Sequence, residues 1–265
     1  MSYETVQWEQ SDGIGRITLN RPETLNAWND VFGKELSQVV NEEAADASVR
    51  AVLLTGAGRG FSSGADLKDM ADRETTPEGH PDVYATLTQR YHPIITGLRT
   101  MEKPVVAAVN GPAVGIGLSL ALAADLVVAK ESAYFLLAFV NIGLVPDGGS
   151  SLFVPERVGF ARAAEMAMLG ERITAARALE WGLINRVVAD DDFAGEVDAL
   201  VDRLAAGPTR SYTGTKRQLN RWLFERMDDQ LEFEAQIQQE MASSGDFTEG
   251  VMAFLQKRPA EFKGA

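Results

Sequence analysis

One carboxylate near the middle of the chain lies where a short turn could hold it in place. Asp147 falls in the stretch "FVNIGLVPDGGSS", residues 139–151, between Pro146 and Gly148. Pro, Asp and Gly in this order are typical of a turn, so local chemistry alone favours a structural role. A carboxylate on a rigid loop can also act as a general acid or base, which removes and returns protons. The stretch therefore leaves two interpretations open, a turn and a catalytic residue.

Two glycine-rich loops could supply a second catalytic element, a pair of backbone N–H groups. One lies in "LLTGAGRGFSSGADLK", residues 53–68, and the other opens the helix predicted in "GIGLSLALAADL", residues 115–126. Glycines let the backbone approach a ligand closely, and a helix that begins near Ile116 adds partial positive charge. Two such loops aimed at one point would form an oxyanion hole suited to enolate chemistry. Tight packing of strand on helix is the alternative interpretation of the same glycines.

Three other kinds of site are disfavoured by the residues at hand. A dinucleotide-binding pattern in the first loop would place Phe61 where its last glycine should be. The sequence around Ser119 resembles a nucleophile elbow, but Ala121 replaces the closing glycine. His80 and His92 are the only histidines that could serve such a serine as a base. With two histidines and no cysteine, the chain also offers few zinc ligands.

The composition is typical of a soluble globular protein with one large domain or a domain with an appendage. The chain has 265 residues, 45% of them hydrophobic, and a formal net charge of −13. This acidic balance argues against nucleic acid and anionic membranes as partners, because both require clustered Lys and Arg. The sequence has no cysteine and no apolar run of the ~20 residues that a membrane span needs. Its first residues lack a basic stretch followed by an apolar one, so we do not expect a secretory signal. We therefore expect a cytoplasmic protein.

The elements that would position the loops alternate between strand and helix. Residues 3–20 alternate apolar and polar side chains around an Asp-Gly pair, which predicts a β-hairpin. Strand and helix signals then alternate through residues 29–58 and 103–132, which indicates α/β layering. Residues 68–92 are polar and contain Pro and Gly at their centre. We expect them to form a mobile excursion over the surface.

The sequence becomes charged and helix-forming after about residue 190. One helix is predicted at 193–207 and a further helical run at 215–241. Apolar residues within that run indicate packing against the core or against another subunit. We therefore divide the chain into a core domain, 1–190, and a C-terminal helical oligomerisation region, 191–265.

Six stretches in a fixed order identify a family resemblance. They are "NRPETLNAWN" (20–29), "GAGRGFSSGADLK" (56–68), "KPVVAAVNGPAVGIGLSLALAADL" (103–126), "IGLVPDGGSS" (142–151), "ALEWGLINRVV" (178–188) and "EGVMAFLQKRPAEF" (249–262). Together they resemble the crotonase superfamily, also called the enoyl-CoA hydratase/isomerase family, over essentially the whole chain. Several spaced motifs in the right order are far more specific than any one of them.

The resemblance implies a fold, a substrate class and an assembly. The implied fold is α/β, a crotonase (ClpP-like) spiral of ββα units with a C-terminal helical trimerisation region. The implied substrates are acyl-CoA thioesters, with no separate cofactor because coenzyme A is part of the substrate. Trimers of the family often pair into hexamers, so we expect a homotrimer or a dimer of trimers.

The resemblance also implies roles for individual residues. The N–H groups of Ala65 and Ile116 fall where members of the family bind the thioester oxygen, and Asp147 falls where some isomerases carry an acting aspartate. Lys257 matches a tail position that in relatives can reach coenzyme A from a neighbouring subunit; a solvated charge is the alternative for it. No metal is expected. The expected substrate-binding residues are Leu25, Ala27, Ser63, Gly64, Asp66, Leu67, Gly115, Ser119, Phe139, Leu144 and Lys257.

Departures from the family pattern bear on the reaction. Family hydratases hold a water between two glutamates, and the matching places here carry Ser119 and Phe139. Neither can act as a carboxylate base, so Asp147 remains, and apolar Phe139, Leu144 and Val145 should raise its pKa by desolvation. The sequence around it resembles the branch of the family that isomerises epoxyphenylacetyl-CoA and shifts enoyl-CoA double bonds. We therefore expect an enoyl-CoA isomerase that works through an enolate, with a single Asp as acid and base. The alternatives are a hydratase with a non-standard site and a non-catalytic acyl-CoA binder.

Overall fold

Strands and helices alternate along most of the chain in the computed structural model, which describes residues 3–68 and 74–265. The strands in these ranges are β1 (Val6–Ser11), β2 (Ile14–Leu19), β3 (Ala51–Gly56), β4 (Val105–Val109), β5 (Ala113–Val114), β6 (Leu126–Lys130), β7 (Tyr134–Leu136), β8 (Ile173–Thr174) and β9 (Arg186–Val188). The helices are α1 (Asp30–Gln38), α2 (Val83–Thr86), α3 (His92–Thr100), α4 (Ile116–Ala123), α5 (Ser150–Val158), α6 (Phe160–Leu169), α7 (Ala175–Glu180), α8 (Phe193–Ala206), α9 (Thr209–Leu223), α10 (Met227–Ala242) and α11 (Gly245–Gln256). This order confirms the predicted α/β layering.

A six-stranded sheet lies at the centre of the fold, in the order β1-β2-β3-β4-β6-β9. β1 and β2 are antiparallel, and the other neighbouring pairs are parallel. β4 is buried along its whole length, as expected for a parallel strand covered on both faces. α8 covers one face of the sheet through Phe193, Val197 and Val201, and the larger core lies on the other. The ends of β3 and β4 lead into the two glycine-rich loops.

Two local predictions near the start of the chain are confirmed. Asp12 and Gly13 form the tip of the β-hairpin with φ of 52° and 78°. Positive φ at both central residues gives a turn whose twist matches the flanking strands, which favours an Asp-Gly pair. Asn29 caps α1, because its side-chain oxygen accepts the N–H of Phe32 at 2.9 Å.

The expectation of a polar surface excursion at residues 68–92 is wrong for the second half of the segment. Residues 69–73 lie outside the described ranges. From α2 the chain continues through a π-helical turn into α3. Val83, Leu87 and Tyr91 recur every four residues and are at most 7% exposed. These three residues form one helical face that packs on the core, but the polar residues between them make its apolar spacing hard to recognise in the sequence.

The C-terminal region is helical as predicted, but the prediction of one continuous helical run at 215–241 is wrong. It is two helices, α9 and α10, and a further helix, α11, follows from a cap at Ser244. The break between α9 and α10 brings the ring of Phe224 against Phe153, edge-on, with 5.4 Å between ring centroids. A tertiary contact of this kind overrides the helix propensity of the neighbouring residues. The division of the chain at residue 190 stays a prediction.

The apolar helix α4 lies within the larger core, on the face of the sheet that α8 does not cover. All eight of its residues are buried. Its amino end meets the second glycine-rich loop, and its carboxyl end meets a group of buried charges. Across residues 3–68 and 74–265, no helix combines the length and the apolar character needed to cross a membrane.

A buried charge cluster, formed by Arg99, Asp125, Arg157 and Lys216, holds the carboxyl end of α4. Asp125 forms ion pairs with Arg99 and with Lys216, the latter at 2.9 Å. Arg99 and Arg157 donate to the last carbonyl groups of the helix, where the helix dipole favours positive charge. Burial lowers the pKa of Lys216 to about 8. The carboxylate of Asp125 therefore supplies the negative charge that balances Arg99 and Lys216 in this cluster.

The substitution Asp125→Asn is expected to lower the free energy of unfolding by about 3–5 kcal/mol, because it leaves buried cations without their counter-charge. Denaturant unfolding followed by circular dichroism measures this. Asp198→Asn is the matched control: Asp198 pairs with Arg16 at 2.8 Å and is 51% exposed. There we expect a loss of at most about 1 kcal/mol. Equal losses in the two variants would contradict the role assigned to the cluster.

Candidate active site

A cavity of about 450 Å³ lies beside the two glycine-rich loops. The loops supply backbone groups to one side of it. The other side is mostly apolar and comes from α2, the π-helical turn after it, and the segment 136–144. The residues expected from the sequence that line it are Ala27, Ser63, Gly64, Ala65, Asp66, Leu67, Gly115, Ile116, Phe139, Leu144 and Asp147.

A short parallel bridge ties the two glycine-rich loops together. Ser62 pairs with Ala113. The N–H of Ser62 donates to the carbonyl of Pro112, and the N–H of Val114 donates to the carbonyl of Ser62, both at 2.9 Å. Ala65 and Ile116 each follow this bridge by three residues. The bridge therefore fixes the two N–H groups relative to each other.

The N–H groups of Ala65 and Ile116 are oriented away from backbone acceptors. Trp28 bonds to both neighbours of Ala65: its N–H donates to Gly64, and its carbonyl accepts from Asp66. In a parallel bridge with this pattern, the N–H of the middle residue, Ala65, points away from the strand that carries Trp28. Ile116 is the first residue of α4, where N–H groups have no partner within the helix. Within the described residues, neither group donates to a backbone carbonyl.

Glycines permit this geometry at two positions. Gly64 has φ of 90°, and a Cβ there would lie 2.9 Å from the carbonyl oxygen of Val114. Gly115, which precedes Ile116, has φ of 54° and ψ of −127°. Non-glycine residues rarely adopt these angles. These angles and the Val114 contact require glycine at both positions, and a role of the two loops in binding a ligand stays a prediction.

Asp147 lies in a turn, as one interpretation of the sequence expected, and it also lines the cavity, so the catalytic interpretation stays a prediction. Its carbonyl accepts the hydroxyl groups of Ser119 at 2.7 Å and Ser150 at 2.8 Å. Gly148 and Gly149 follow with φ of 60° and 83°. Asp147 is 6% exposed. The turn therefore holds a buried carboxylate at the cavity wall.

The Asp147 turn also packs directly on the start of α4. A Cβ on Gly148 would lie 2.2 Å from Cδ1 of Ile116, so only a glycine lets the backbone of the turn pack this closely on the Ile116 side chain. The turn is thereby held in a fixed position relative to the residue that carries the second N–H group. The carboxylate and the two N–H groups belong to one rigid arrangement.

α10 holds the same turn from the opposite side. Glu234 accepts the N–H of Gly149 at 2.7 Å, and its other oxygen accepts the N–H and the hydroxyl of Ser151 at 3.1 and 2.5 Å. Gln238, one helical turn later, donates its amide to Oδ2 of Asp147 at 2.8 Å. Burial raises the pKa of Glu234 to about 7, although its three hydrogen bonds oppose the shift.

The raised pKa of Glu234 predicts a pH dependence of stability. Between its ordinary value of 4.5 and about 7, the folded protein holds a proton that the unfolded chain has released. The stabilisation from this group is complete below the lower value and is lost as the pH rises through the upper one. As the pH rises from about 5 to about 8, the free energy of unfolding of wild type should therefore fall relative to that of Glu234→Gln. Urea unfolding at a series of pH values measures it, and parallel curves would contradict the prediction.

Three of the expected binding residues do not line the cavity. Leu25 lies behind the first loop, where its carbonyl accepts the N–H of Ser63 at 2.9 Å. Ser119 is fully buried, and its hydroxyl is bonded to the Asp147 carbonyl. Lys257 is exposed at the end of α11 with φ of 55°. Ser119 thus supports the turn from behind, and a binding role for Leu25 or Lys257 stays a prediction.

The sequence reading missed several residues of the cavity. Gln238 and Phe254 line it, as do Val83, Leu87 and Tyr91 on the apolar side. One signal was present for Gln238. It occupies a position on the apolar face of α10, where a polar side chain needs a partner.

The charged groups of the cavity have distinct environments. Asp66 also lines it, but its carboxylate pairs with Arg21 at 3.1 Å. Asp147 accepts instead from a neutral amide. His92 is not among the residues that line the cavity; it is buried, and burial lowers its pKa to about 4, so it is neutral at neutral pH. Within residues 3–68 and 74–265, no group of three His, Cys, Asp or Glu could hold a metal ion.

A carboxylate in the same cavity as two N–H groups that have no backbone acceptor can form and quench an enolate. The N–H groups stabilise negative charge on a carbonyl oxygen, and the carboxylate moves a proton at the adjacent carbon. A serine nucleophile is not supported, because the Ser119 hydroxyl is bonded to a backbone carbonyl. The arrangement is that of proton transfer next to a thioester or a similar carbonyl.

Comparison with known proteins identifies the family. The family model described as enoyl-CoA hydratase/isomerase matches residues 9–265. A probable enoyl-CoA hydratase of Rhodobacter capsulatus is 42% identical over 100% of both chains, and the 1,2-epoxyphenylacetyl-CoA isomerase of Escherichia coli K12 is 41% identical over 95% of each. The crystal structure of an enoyl-CoA hydratase from Mycobacterium avium subsp. paratuberculosis superposes with a TM-score of 0.89 at 37% identity, covering 99% of this chain and 100% of that one. The family resemblance and the crotonase fold expected from the sequence are thereby confirmed, and the chain belongs to the enoyl-CoA hydratase/isomerase family.

Proposed function

We propose that this protein is an acyl-CoA isomerase that shifts a double bond along the acyl chain, with Asp147 as the single acid and base. One observation carries the proposal. The two places where family hydratases carry glutamates hold Ser119 and Phe139, and the buried carboxylate Asp147 lines the cavity that the two N–H groups also line. Moving a proton between two carbons needs one carboxylate that reaches both, whereas adding water needs two acting groups.

The reaction proceeds in two proton transfers. The thioester oxygen of a 3-enoyl-CoA accepts hydrogen bonds from the N–H groups of Ala65 and Ile116. The Asp147 carboxylate removes a proton from the carbon next to the thioester, and the electron pair of that bond delocalises onto the thioester oxygen as a dienolate. The protonated Asp147 then delivers the proton to the far end of the former double bond. The new double bond is conjugated with the thioester carbonyl, and the carboxylate is regenerated.

Two departures from the hydratase pattern fit a single-base mechanism. Ser119 replaces one glutamate and donates its hydroxyl to the Asp147 carbonyl at 2.7 Å, so this position now supports the turn. Phe139 replaces the other and adds an apolar wall. An apolar wall limits access of water to the bound 2-enoyl product, which disfavours its hydration.

The acyl group is proposed to be aromatic or aliphatic with a largely apolar end. The cavity side opposite the N–H groups carries Val83, Leu87, Tyr91, Phe139 and Leu144. The relative from Escherichia coli is named for a ring-epoxide phenylacetyl-CoA, which makes a ring-epoxide aryl-CoA a second substrate to test. An enoyl-CoA hydratase with a non-standard site is the alternative reaction, supported by the name of the relative from Rhodobacter capsulatus.

A homotrimer, or a dimer of trimers, is the proposed assembly. Several large apolar side chains of the later helices are exposed in the single chain, among them Phe160 at 83% and Trp222 at 84%. Apolar side chains that are exposed in a single subunit are often covered in an assembly. Sedimentation velocity measures the assembly directly.

Following two reactions on one substrate series tests the proposed function. A 3-enoyl-CoA and the corresponding 2-enoyl-CoA are each incubated with the protein, and the products are separated by liquid chromatography. We expect interconversion of the two double-bond isomers with at most trace 3-hydroxyacyl-CoA. Hydroxyacyl-CoA as the main product would establish the hydratase. Tight acyl-CoA binding without any proton exchange would indicate a non-catalytic binder.

A further inference from the structure

Gln238 contacts the Asp147 turn at two points. Its side-chain N–H donates to Oδ2 of Asp147 at 2.8 Å, and its side-chain oxygen accepts the N–H of Val145 at 3.1 Å. Gln238 is completely buried and lines the cavity. Both of its polar groups are therefore used on one short segment, and the orientation of its amide is determined by that segment.

Contacts from Ser119, Ser150 and Glu234 hold the backbone of the turn. Ser119 and Ser150 donate to the Asp147 carbonyl. Glu234 accepts from the backbone of Gly149 and Ser151. These bonds fix where the Cα of Asp147 lies, but its side-chain torsions need a further contact. The amide of Gln238 supplies one.

We propose that Gln238 is a positioning residue that orients the Asp147 carboxylate and favours its ionised form. The inference rests on the proposed function, because it takes Asp147 as the base. A hydrogen bond donated to a carboxylate stabilises the charged state, which keeps the base ready at neutral pH. A neutral amide stabilises the carboxylate less than a neighbouring cation would, so the carboxylate remains able to accept a proton.

The substitution Gln238→Glu separates the two contacts. A glutamate can still accept the N–H of Val145, but at Asp147 it replaces a donor with a second carboxyl group. The pair would then hold a shared proton to higher pH. We expect the acidic limb of the kcat profile to move to higher pH by about one to two units, and kcat near neutral pH to fall about 10-fold or more. KM for acyl-CoA should change less than about 2-fold, since the thioester is held by the loops.

The matched control is Gln236→Glu. Gln236 is exposed on the same helix and contacts Glu232, so the variant adds the same charge to α10 without touching the Asp147 turn. Its profile should overlay that of wild type. The other titratable groups among the described residues of the turn and cavity are unchanged in both variants: Glu23, Asp66, Lys68, Tyr91 and Glu234.

A second variant keeps the proposal testable if Gln238→Glu does not fold. Gln238→Met keeps the length of the side chain but has no amide, and it should also shift the acidic limb upward and lower kcat with little change in KM. A shift in the variant that folds supports the role of Gln238; a wild-type profile, or a loss confined to KM, overturns it. The substitution Asp147→Asn shows whether a negative result refutes only the role of Gln238 or the proposed function as well. If Asp147→Asn is inactive and Gln238 variants behave as wild type, only this inference falls, whereas an active Asp147→Asn removes the proposed function itself.

Discussion

Asp147→Asn is expected to reduce double-bond isomerisation by about 10²–10⁴-fold, the contribution typical of a positioned general acid–base group. Asparagine has the shape of aspartate, and its side-chain oxygen can still accept from Gln238, so the turn should keep its structure. It cannot take up a proton from the carbon next to the thioester. Formation of the conjugated 2-enoyl thioester, followed by its ultraviolet absorbance, measures the rate.

Binding and fold should survive this substitution. The N–H groups of Ala65 and Ile116 do not depend on the carboxylate, so the acyl-CoA dissociation constant from calorimetry should change little. Asp198→Asn makes the same chemical change at an exposed ion pair and should leave the rate unchanged. A wild-type rate in the Asp147 variant would rule out the single-carboxylate mechanism.

Gly115→Ala is expected to lower kcat by about 10²–10³-fold, the loss typical of removing one oxyanion-hole donor. The pair of angles at Gly115, φ 54° and ψ −127°, is accessible to glycine and strained for alanine. Alanine would have to rotate the peptide between residues 115 and 116, which turns the Ile116 N–H away from the thioester oxygen. Steady-state kinetics with a 3-enoyl-CoA measure the effect.

Gly195→Ala is the matched control for this change. Gly195 lies in α8, and a Cβ there meets no neighbouring atom. Alanine also favours a helix over glycine, so we expect unchanged kcat and equal or higher stability. If Gly115→Ala folds normally and retains the wild-type kcat, the Ile116 N–H is not a donor in the reaction.

Backbone features of the site were predictable because they depend on local sequence. The glycines at 64 and 115 follow apolar strands, and the Pro-Asp-Gly-Gly turn at 146–149 has its own chemistry. These patterns together with the family motifs predicted the cavity and the roles of Ala65, Ile116 and Asp147. The roles remain proposals, but the structure brings all three residues to one cavity.

Contacts made across long stretches of sequence were not predictable. Glu234 and Gln238 lie 85 and 91 residues from the backbone and carboxylate groups they bind, those of Gly149 and Asp147. Their positions on the apolar face of α10 indicate that each needs a polar partner, but not which partner. The break at Phe224 and the buried face of α2 were missed for the same reason, since each depends on a tertiary partner rather than on its neighbours in the chain.

The location of deuterium after isomerisation in deuterated water tests the central proposal most directly. A 3-enoyl-CoA is converted by wild type and by Asp147→Asn, and nuclear magnetic resonance locates the label in the product. We predict that wild type places deuterium at the carbon that gains a hydrogen in those turnovers in which the protonated Asp147 exchanges with solvent before delivery, and that the remaining product carries the hydrogen removed from the carbon next to the thioester. The Asp147 variant should form no shifted product, labelled or unlabelled, above the uncatalysed background. Equal formation of shifted product by both proteins, or a hydroxyl group on the product in place of a shifted double bond, would contradict transfer by a single buried aspartate.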